Sequence, residues 1–158
     1  MSTSEGIPAQ STPREPSSPV NGVSRVNEDG TPRDIVAVRL PATAAYLTVL
    51  RTTTASLAAR LDFTLDEIED LRIAVDEASC LLLAAVRPET ELTAEFELGE
   101  DSISVTVSAD TVDSRGPARD SFAWTVLSAL AGEVDAWTDP DGRQSISLIK
   151  HREREASA

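Results

Sequence analysis

Two adjacent segments in which polar and apolar residues alternate constrain the fold of this chain more than any other feature. Residues 91–98 and 102–108 both alternate with a period of two, which is typical of strands with one buried face. Only the residues Gly-Glu-Asp at 99–101 separate them, and so short a connection joins antiparallel neighbours. The chain must therefore build an antiparallel pair whose apolar face needs a covering layer.

Segments with helical periodicity supply that layer. The spacing of apolar residues predicts helices over residues 43–60, 64–86 and 121–131. The middle helix has the clearest start, because Thr64 and Glu67 stand at the spacing of a capping box.

Further short strands complete the predicted sheet. They are expected over residues 35–40, 134–138 and 144–150. The order of elements predicts an α+β fold, a two-layer sandwich in which a mixed or antiparallel sheet carries helices on one face.

The composition divides the chain into three parts. Residues 1–33 hold five of the nine prolines, many serines and no aromatic residue, and we expect them to form a disordered tail. Residues 34–151 form the folded domain, and residues 152–158 are a charged, frayed end.

The charge of the chain excludes several functions. Its formal net charge of −13 repels the phosphates of nucleic acids and of anionic membranes, so we expect no direct contact with either. The same charge favours a basic protein partner, mainly through the rate of association, although acidity also serves solubility alone. One cysteine, no secretory signal and no long apolar run favour the cytoplasm.

Glu77 is the strongest candidate for chemistry. On the predicted second helix it lies in a largely apolar strip with Ile73, Ala74 and Leu81, where a carboxylate could act as a general base. The same position also suits a solvated carboxylate at the edge of an amphipathic helix.

A family resemblance adds context to Glu77. The sequence Leu-Arg-Ile-Ala-Val-Asp-Glu-Ala-Ser-Cys at 71–80 resembles the helix motif of the anti-sigma factor serine kinases of the RsbW type. They belong to the superfamily of histidine kinases, gyrase and the Hsp90 chaperone. The similarity extends in element order over residues 35–151 and includes the pattern at 130–135 and 145–148.

The resemblance implies the histidine kinase-like ATPase fold and a role in regulating transcription in a stress response. Such a protein sequesters an RNA polymerase sigma factor and is countered by an anti-anti-sigma protein. Active members bind ATP with magnesium and phosphorylate that antagonist on serine, so a protein serine/threonine kinase is the alternative function. The resemblance also implies a homodimer, with the first helix in part of its interface.

The family's site residues carry over in part. Glu77 matches the catalytic base, and Asp110 or Asp113 is the candidate for the carboxylate that contacts adenine. Gly116 is the one glycine left in the phosphate loop, and Ser145 stands near a threonine that helps to bind the base.

The chain departs from the family pattern at two places. Leu81 stands where the family has an asparagine that binds magnesium, and leucine offers no oxygen, so no metal ligand is assigned. The glycines whose backbone amides cradle phosphates are missing apart from Gly116. These losses predict weak binding of magnesium-ATP and little kinase turnover, whereas under the opposite interpretation the chain binds nucleotide through substitute contacts, with Asp76 or Asp113 supplying a carboxylate.

The remaining chemistry-bearing residues are expected to be structural. We predict that Trp124 and Trp137 anchor a core or an interface and that Cys80 is a buried, small hydrophobic residue. With one cysteine and one histidine, the chain has no zinc ligand set.

Overall fold

The computed structural model describes residues 26–113 and 115–153. The elements in chain order are β1 (Asp34–Pro41), a 3-10 turn (Ala44–Tyr46), α1 (Leu47–Arg60), α2 (Leu65–Leu83), β2 (Glu91–Leu98), β3 (Ser102–Asp110), α3 (Phe122–Leu130), β4 (Glu133–Thr138) and β5 (Arg143–His151). Every predicted helix and strand is present, and the predicted α+β class is confirmed.

The strands form one five-stranded sheet in the order β1-β2-β3-β5-β4, and every neighbouring pair is antiparallel. The expected mixed or antiparallel sheet is therefore wholly antiparallel. β5, the last strand of the described chain, lies between β3 and β4. The hairpin of β2 and β3 pairs Phe96 with Val105 and Ala94 with Val107, as the alternation requires.

The core lies between the sheet and the helices. Phe96, Val105 and Leu148 occupy one cross-strand row of the inner sheet face and are fully buried. Leu71 and Leu82 of α2 are equally buried above them. Burying each of these side chains contributes about 1.5–3 kcal/mol, so the packing of α2 on the sheet contributes strongly to the stability of the domain.

α2 is the central helix and touches α1, α3, β3 and β5. The side chain of Thr64 caps it, since Thr64 Oγ1 accepts a hydrogen bond of 3.2 Å from the backbone N–H of Glu67. The helix ends at Leu83, short of the predicted residue 86. Val86 and Arg87 instead turn towards β3, where Arg87 N–H donates to the Asp110 carbonyl at 2.8 Å.

The described ends of the domain are held by side chains. At the first, residues 26–33 form a turn closed by a bridge between Val26 and Pro32, and Arg33 pairs with Glu97. At the second, Arg152 donates to the Asp101 carboxylate at 2.8 Å and to the Leu61 carbonyl at 3.3 Å. The rest of the predicted tail, 1–25, and of the predicted frayed end, 154–158, lie outside the described residues.

Candidate functional site

Two sides of α2 carry the carboxylates of the motif, and we call them its flanks. With 3.6 residues per turn, the flank that carries Asp76 is rotated by about 100° from the flank that carries Glu77. Asp76 faces α1, where Arg51 donates to its carboxylate at 2.8 Å through Nε. The sequence placed Asp76 among the possible substitutes for a lost site carboxylate, but the structure assigns it to an ion pair between two helices.

The flank of Glu77 faces α3. Asp70 lies on that flank about two turns earlier and approaches Lys150 Nζ at 3.7 Å. The same Nζ donates to the carbonyl of Leu130, the last residue of α3, at 2.8 Å. Glu77 is half-buried and, among the described residues, forms no ion pair or hydrogen bond.

Leu81 lies on the same flank, one turn beyond Glu77, and packs against the core. Its side chain has no metal-binding atom. Among the residues that the structure describes, no group of three or more His, Cys, Asp or Glu side chains is arranged to hold a metal ion.

The two aspartates after β3 do not face Glu77. Asp110 pairs across the strands with Arg143, whose Nη1 lies 3.4 Å from its carboxylate. Its neighbour Ala109 is buried in the core, so Asp110 projects from the outer face of the sheet. The Asp113 carboxylate accepts a hydrogen bond of 2.9 Å from the backbone N–H of Arg115 and closes a local turn.

Ser145 also lies on the outer face of the sheet. Its Oγ is 2.8 Å from that of Ser108, opposite the helices. Its neighbour Gln144 is the β5 residue that faces inward, and it is 4% exposed. The sequence could have indicated this orientation. Ile146 and Leu148 are the inward residues of the strand, and the same period of two places Gln144, not Ser145, on the inner face.

A segment in which the sequence singled out only Asp113 occupies the helix side of this end of the sheet. We call residues Thr111–Asp113 the strap. The Gln144 side chain donates to the Asp113 carbonyl at 2.6 Å, and the backbone N–H of Val112 donates to the Ala85 carbonyl at 2.8 Å.

Two further bonds fix the first residue of the strap. Thr111 is 1% exposed, and its hydroxyl lies 3.0 Å from the Asp113 carbonyl and 3.2 Å from that of Gly142. Arg87 Nε donates to the Thr111 carbonyl at 3.1 Å. The strap is thereby tied on one side to the end of α2 and on the other to β5 and the turn before it.

Gly116 lies in the loop against the edge strand β4. Its φ of +73° is a backbone conformation that favours glycine. With Arg115, Arg119, Trp137 and neighbouring residues it lines an open cleft of about 220 Å³. Because Glu77 faces α3, Asp110 and Ser145 face the outer sheet and Gly116 lies at β4, the predicted site residues do not converge on one pocket.

Cys80 is exposed, so the expectation of a buried cysteine is wrong. The helix period carries it to the outer stripe of α2, away from its apolar sequence neighbours. Partial burial of the thiol raises the pKa of Cys80, the charges of Asp76 and Glu77 raise it further, and Arg51 lowers it. The thiol is therefore mostly protonated at neutral pH.

Comparisons with known proteins place the chain in a family. It is 37% identical over 119 residues to the anti-sigma-F factor RsbW of Mycobacterium tuberculosis, a match covering 73% of this chain and 68% of that protein. It is 37% identical over 84 residues to the serine-protein kinase RsbW of Bacillus subtilis, covering 51% of this chain and 52% of that one. No family model matches the chain.

A solved structure shares the fold. The RsbU and RsbW domains of a Mycobacterium tuberculosis protein superpose with a TM-score of 0.59 and 16% identity, over 80% of this chain and 34% of that one. The antiparallel sheet with its helices on one face thus recurs in an RsbW structure. The fold and the length and identity of the first match show that the chain belongs to the RsbW family of anti-sigma factors and serine-protein kinases.

Proposed function

We propose that the protein is an anti-sigma factor, which holds an RNA polymerase sigma factor by protein contact and is countered by an anti-anti-sigma protein. The names of its relatives support this function, because the relative from Mycobacterium tuberculosis is an anti-sigma-F factor. The net charge of −13 supports it as well, since basic segments of a sigma factor, which hold DNA, are attracted to such a surface.

We propose that this control does not depend on tight binding of magnesium-ATP. The residues at the expected positions do not fit the nucleotide, because Asp110 and Ser145 face the other side of the sheet from Glu77. Leu81 offers no ligand for the metal, and the strap lies bonded at the end of the sheet. This divergence of the expected site residues is the observation that favours protein contact over catalysis.

A serine kinase that phosphorylates the antagonist is the second candidate. The observation that favours it is the position of Glu77, which is half-buried, faces α3 and has no ion pair with any described residue, so that it could accept a proton from a hydroxyl. The Bacillus subtilis relative is named a serine-protein kinase.

The cellular location and the oligomeric state of the protein belong to the same proposal. An anti-sigma factor works where RNA polymerase does, so we propose the cytoplasm. Among the described residues, no helix is long and apolar enough to cross a membrane. We also propose a homodimer with α1 in part of its interface.

Two measurements test the function. The purified chain is mixed with each sigma factor and each anti-anti-sigma protein of its own genome, and the mixtures are separated by size-exclusion chromatography. Co-elution with a sigma factor is expected, and no complex with any of them would overturn the proposal. Calorimetric titration with ATP and magnesium should then show no binding at micromolar concentrations.

Kinase activity is measured separately, as transfer of labelled phosphate from ATP to the antagonist. Transfer that Glu77→Ala abolishes without unfolding the chain would establish the second candidate. Equal transfer by the variant and by the wild type would exclude Glu77 as its base.

A further inference from the structure

Exposed apolar side chains lie on the elements that flank Glu77 at the junction of α2 and α3. Phe122, the first residue of α3, is 84% exposed, and Ile73, one turn before Glu77 on α2, is 40% exposed. Val112 in the strap is 64% exposed. Large apolar side chains this exposed on neighbouring elements are typical of sites that bind another protein.

The run of the two helices brings Phe122 to the level of Glu77. The strap begins beside Ala85, at the end of α2, whereas α3 ends where Lys150 reaches back to Asp70, so the helices are antiparallel. Glu77 lies seven residues beyond Asp70, which is about 10 Å along α2. Because α3 runs in the opposite direction, the same distance measured back from its end reaches its first turn, where Phe122 lies.

The orientation of α3 turns Phe122 towards α2. The guanidinium of Arg119 lies 4.9 Å from the centre of the Trp124 ring and donates to Asp135 on β4 at 2.8 Å, so the Trp124 flank of α3 faces β4. The helix period places Phe122 and Val126 on the opposite flank, beside α2.

The surface is also held in place. The strap that carries Val112 is bonded to Ala85, Gly142 and Gln144, and Ser121 caps α3 next to Phe122 through a 3.2 Å hydrogen bond from Trp124 N–H. A partner that binds there does not have to order these groups, which lowers the entropic cost of association.

Glu77 gives this apolar surface a negative centre. Its neighbours Asp70 and Asp76 have cationic partners within the domain, whereas Glu77 has none among the described residues. A partner that covers the apolar rim would bury this carboxylate, and a buried carboxylate needs a cation or hydrogen bonds. Apolar groups surrounding one cation are therefore the complement of the surface.

We propose that Phe122, Val112 and Ile73, with Glu77 between them, form the docking surface for an amphipathic helix of the sigma factor whose apolar face carries one Lys or Arg. The assignment of the partner rests on the proposed function. The net charge of −13 favours a basic segment, and two neighbouring helices with exposed apolar residues suit a helical ligand.

Matched surface variants test the proposal with the sigma factor that co-elutes with the wild type. Phe122→Ser should weaken the complex about tenfold or more, and Val112→Ser several-fold, measured as Kd by biolayer interferometry. Leu65→Ser is the control, because Leu65 is 85% exposed at the other end of α2. Glu77→Gln should weaken binding and flatten its salt dependence, whereas Glu100→Gln, at the exposed turn after β2, should do neither.

Each outcome decides between the docking surface and the function. Weakening by Phe122→Ser and not by Leu65→Ser supports the surface. A sigma complex that all these variants leave unchanged overturns the surface and leaves the function standing. Weakening only of an antagonist complex, or conversion of a homodimer to a monomer by Phe122→Ser, overturns the sigma assignment, and a chain that binds no partner overturns both proposals.

Discussion

The two flanks of α2 are built from similar residues and are used differently. Towards α1, the carboxylate of Asp76 is neutralised by Arg51 and the helices are joined by that pair. Towards α3, Asp70 is paired with Lys150 near the start of the helix, but among the described residues Glu77 has no cationic partner, and exposed apolar residues lie on α2, α3 and the strap. One flank closes the domain, and the other is available to a partner.

The difference teaches that adjacent motif residues need not share a role. Asp76 and Glu77 are neighbours in sequence, but one residue along a helix is a rotation of about 100°. The motif therefore places one carboxylate in each of two interhelical clefts. Among the described residues a cation matches only the carboxylate in the cleft towards α1, and the role that we propose belongs to the other one.

The largest expected effect concerns the buried stripe between the two flanks. Leu82→Ala removes a fully buried side chain and should lower the free energy of unfolding by about 2–5 kcal/mol. Urea denaturation measures this. Leu65→Ala, at 85% exposure, should change it by less than about 0.5 kcal/mol, and equal losses would show that α2 is not packed as described.

The second effect separates the flanks directly. Arg51 and Asp76 are 41% and 26% exposed, so solvent screens their pair, and we expect a coupling of at most about 1 kcal/mol. A double-mutant cycle of Arg51→Met and Asp76→Asn measures it. The same cycle with Glu77→Gln in place of Asp76→Asn should give coupling close to zero, and a coupling as large as that of Asp76 would contradict the distinction between the flanks.

The third effect uses Cys80, on the outer stripe between the flanks, as a probe of charge. Because burial and the carboxylates of Asp76 and Glu77 raise its pKa, the reactive thiolate is scarce at neutral pH, and alkylation by iodoacetamide should accelerate as pH rises through that raised pKa. Glu77→Gln removes one negative charge and should speed alkylation about twofold at fixed pH. Arg51→Met removes the opposing cation and should slow alkylation. Changes of the reverse sign would show that these charges do not set the pKa of Cys80.

The smallest effect lies across α3, away from α2. The hydrogen bond from Arg119 lowers the pKa of Asp135, and the backbone N–H of Ala136 lowers it further. A depressed carboxyl pKa stabilises the fold above the pKa of the unfolded chain, and this stabilisation is lost as pH falls through the folded value. Arg119→Met should raise the pKa of Asp135 towards its ordinary value in an NMR titration, while no change would mean that the pair does not persist in solution.

Most of the fold could be predicted from the sequence because its signals are local. The period-two pattern of β2 and β3 and the Thr64 cap of α2 depend on neighbouring residues only. The end of α2 was placed too late, at residue 86, because what stops the helix is the long-range bond from Arg87 to Asp110. Strand order was not predicted, since it depends on pairings between distant segments.

The candidate site was less predictable. Glu77 was identified from its helix motif, and its position facing α3 is compatible with a functional role that remains a prediction. Asp110 and Ser145 were chosen by their place along the chain, whereas the strand alternation turns both to the outer face. The strap depends on Arg87, Thr111 and Gln144, which no local pattern connects.

The position of β5 has a consequence for synthesis of the protein. Because β5 fills the space between β3 and β4, β3 is paired only with β2 and β4 has no partner until residues 143–151 have left the ribosome. A nascent chain up to β4 therefore exposes the free edge of β3 and an unpaired β4, and such edges are sites of misassembly. The sheet can close only after β5 has been synthesised, and a chain that stops before it leaves β3 and β4 unjoined.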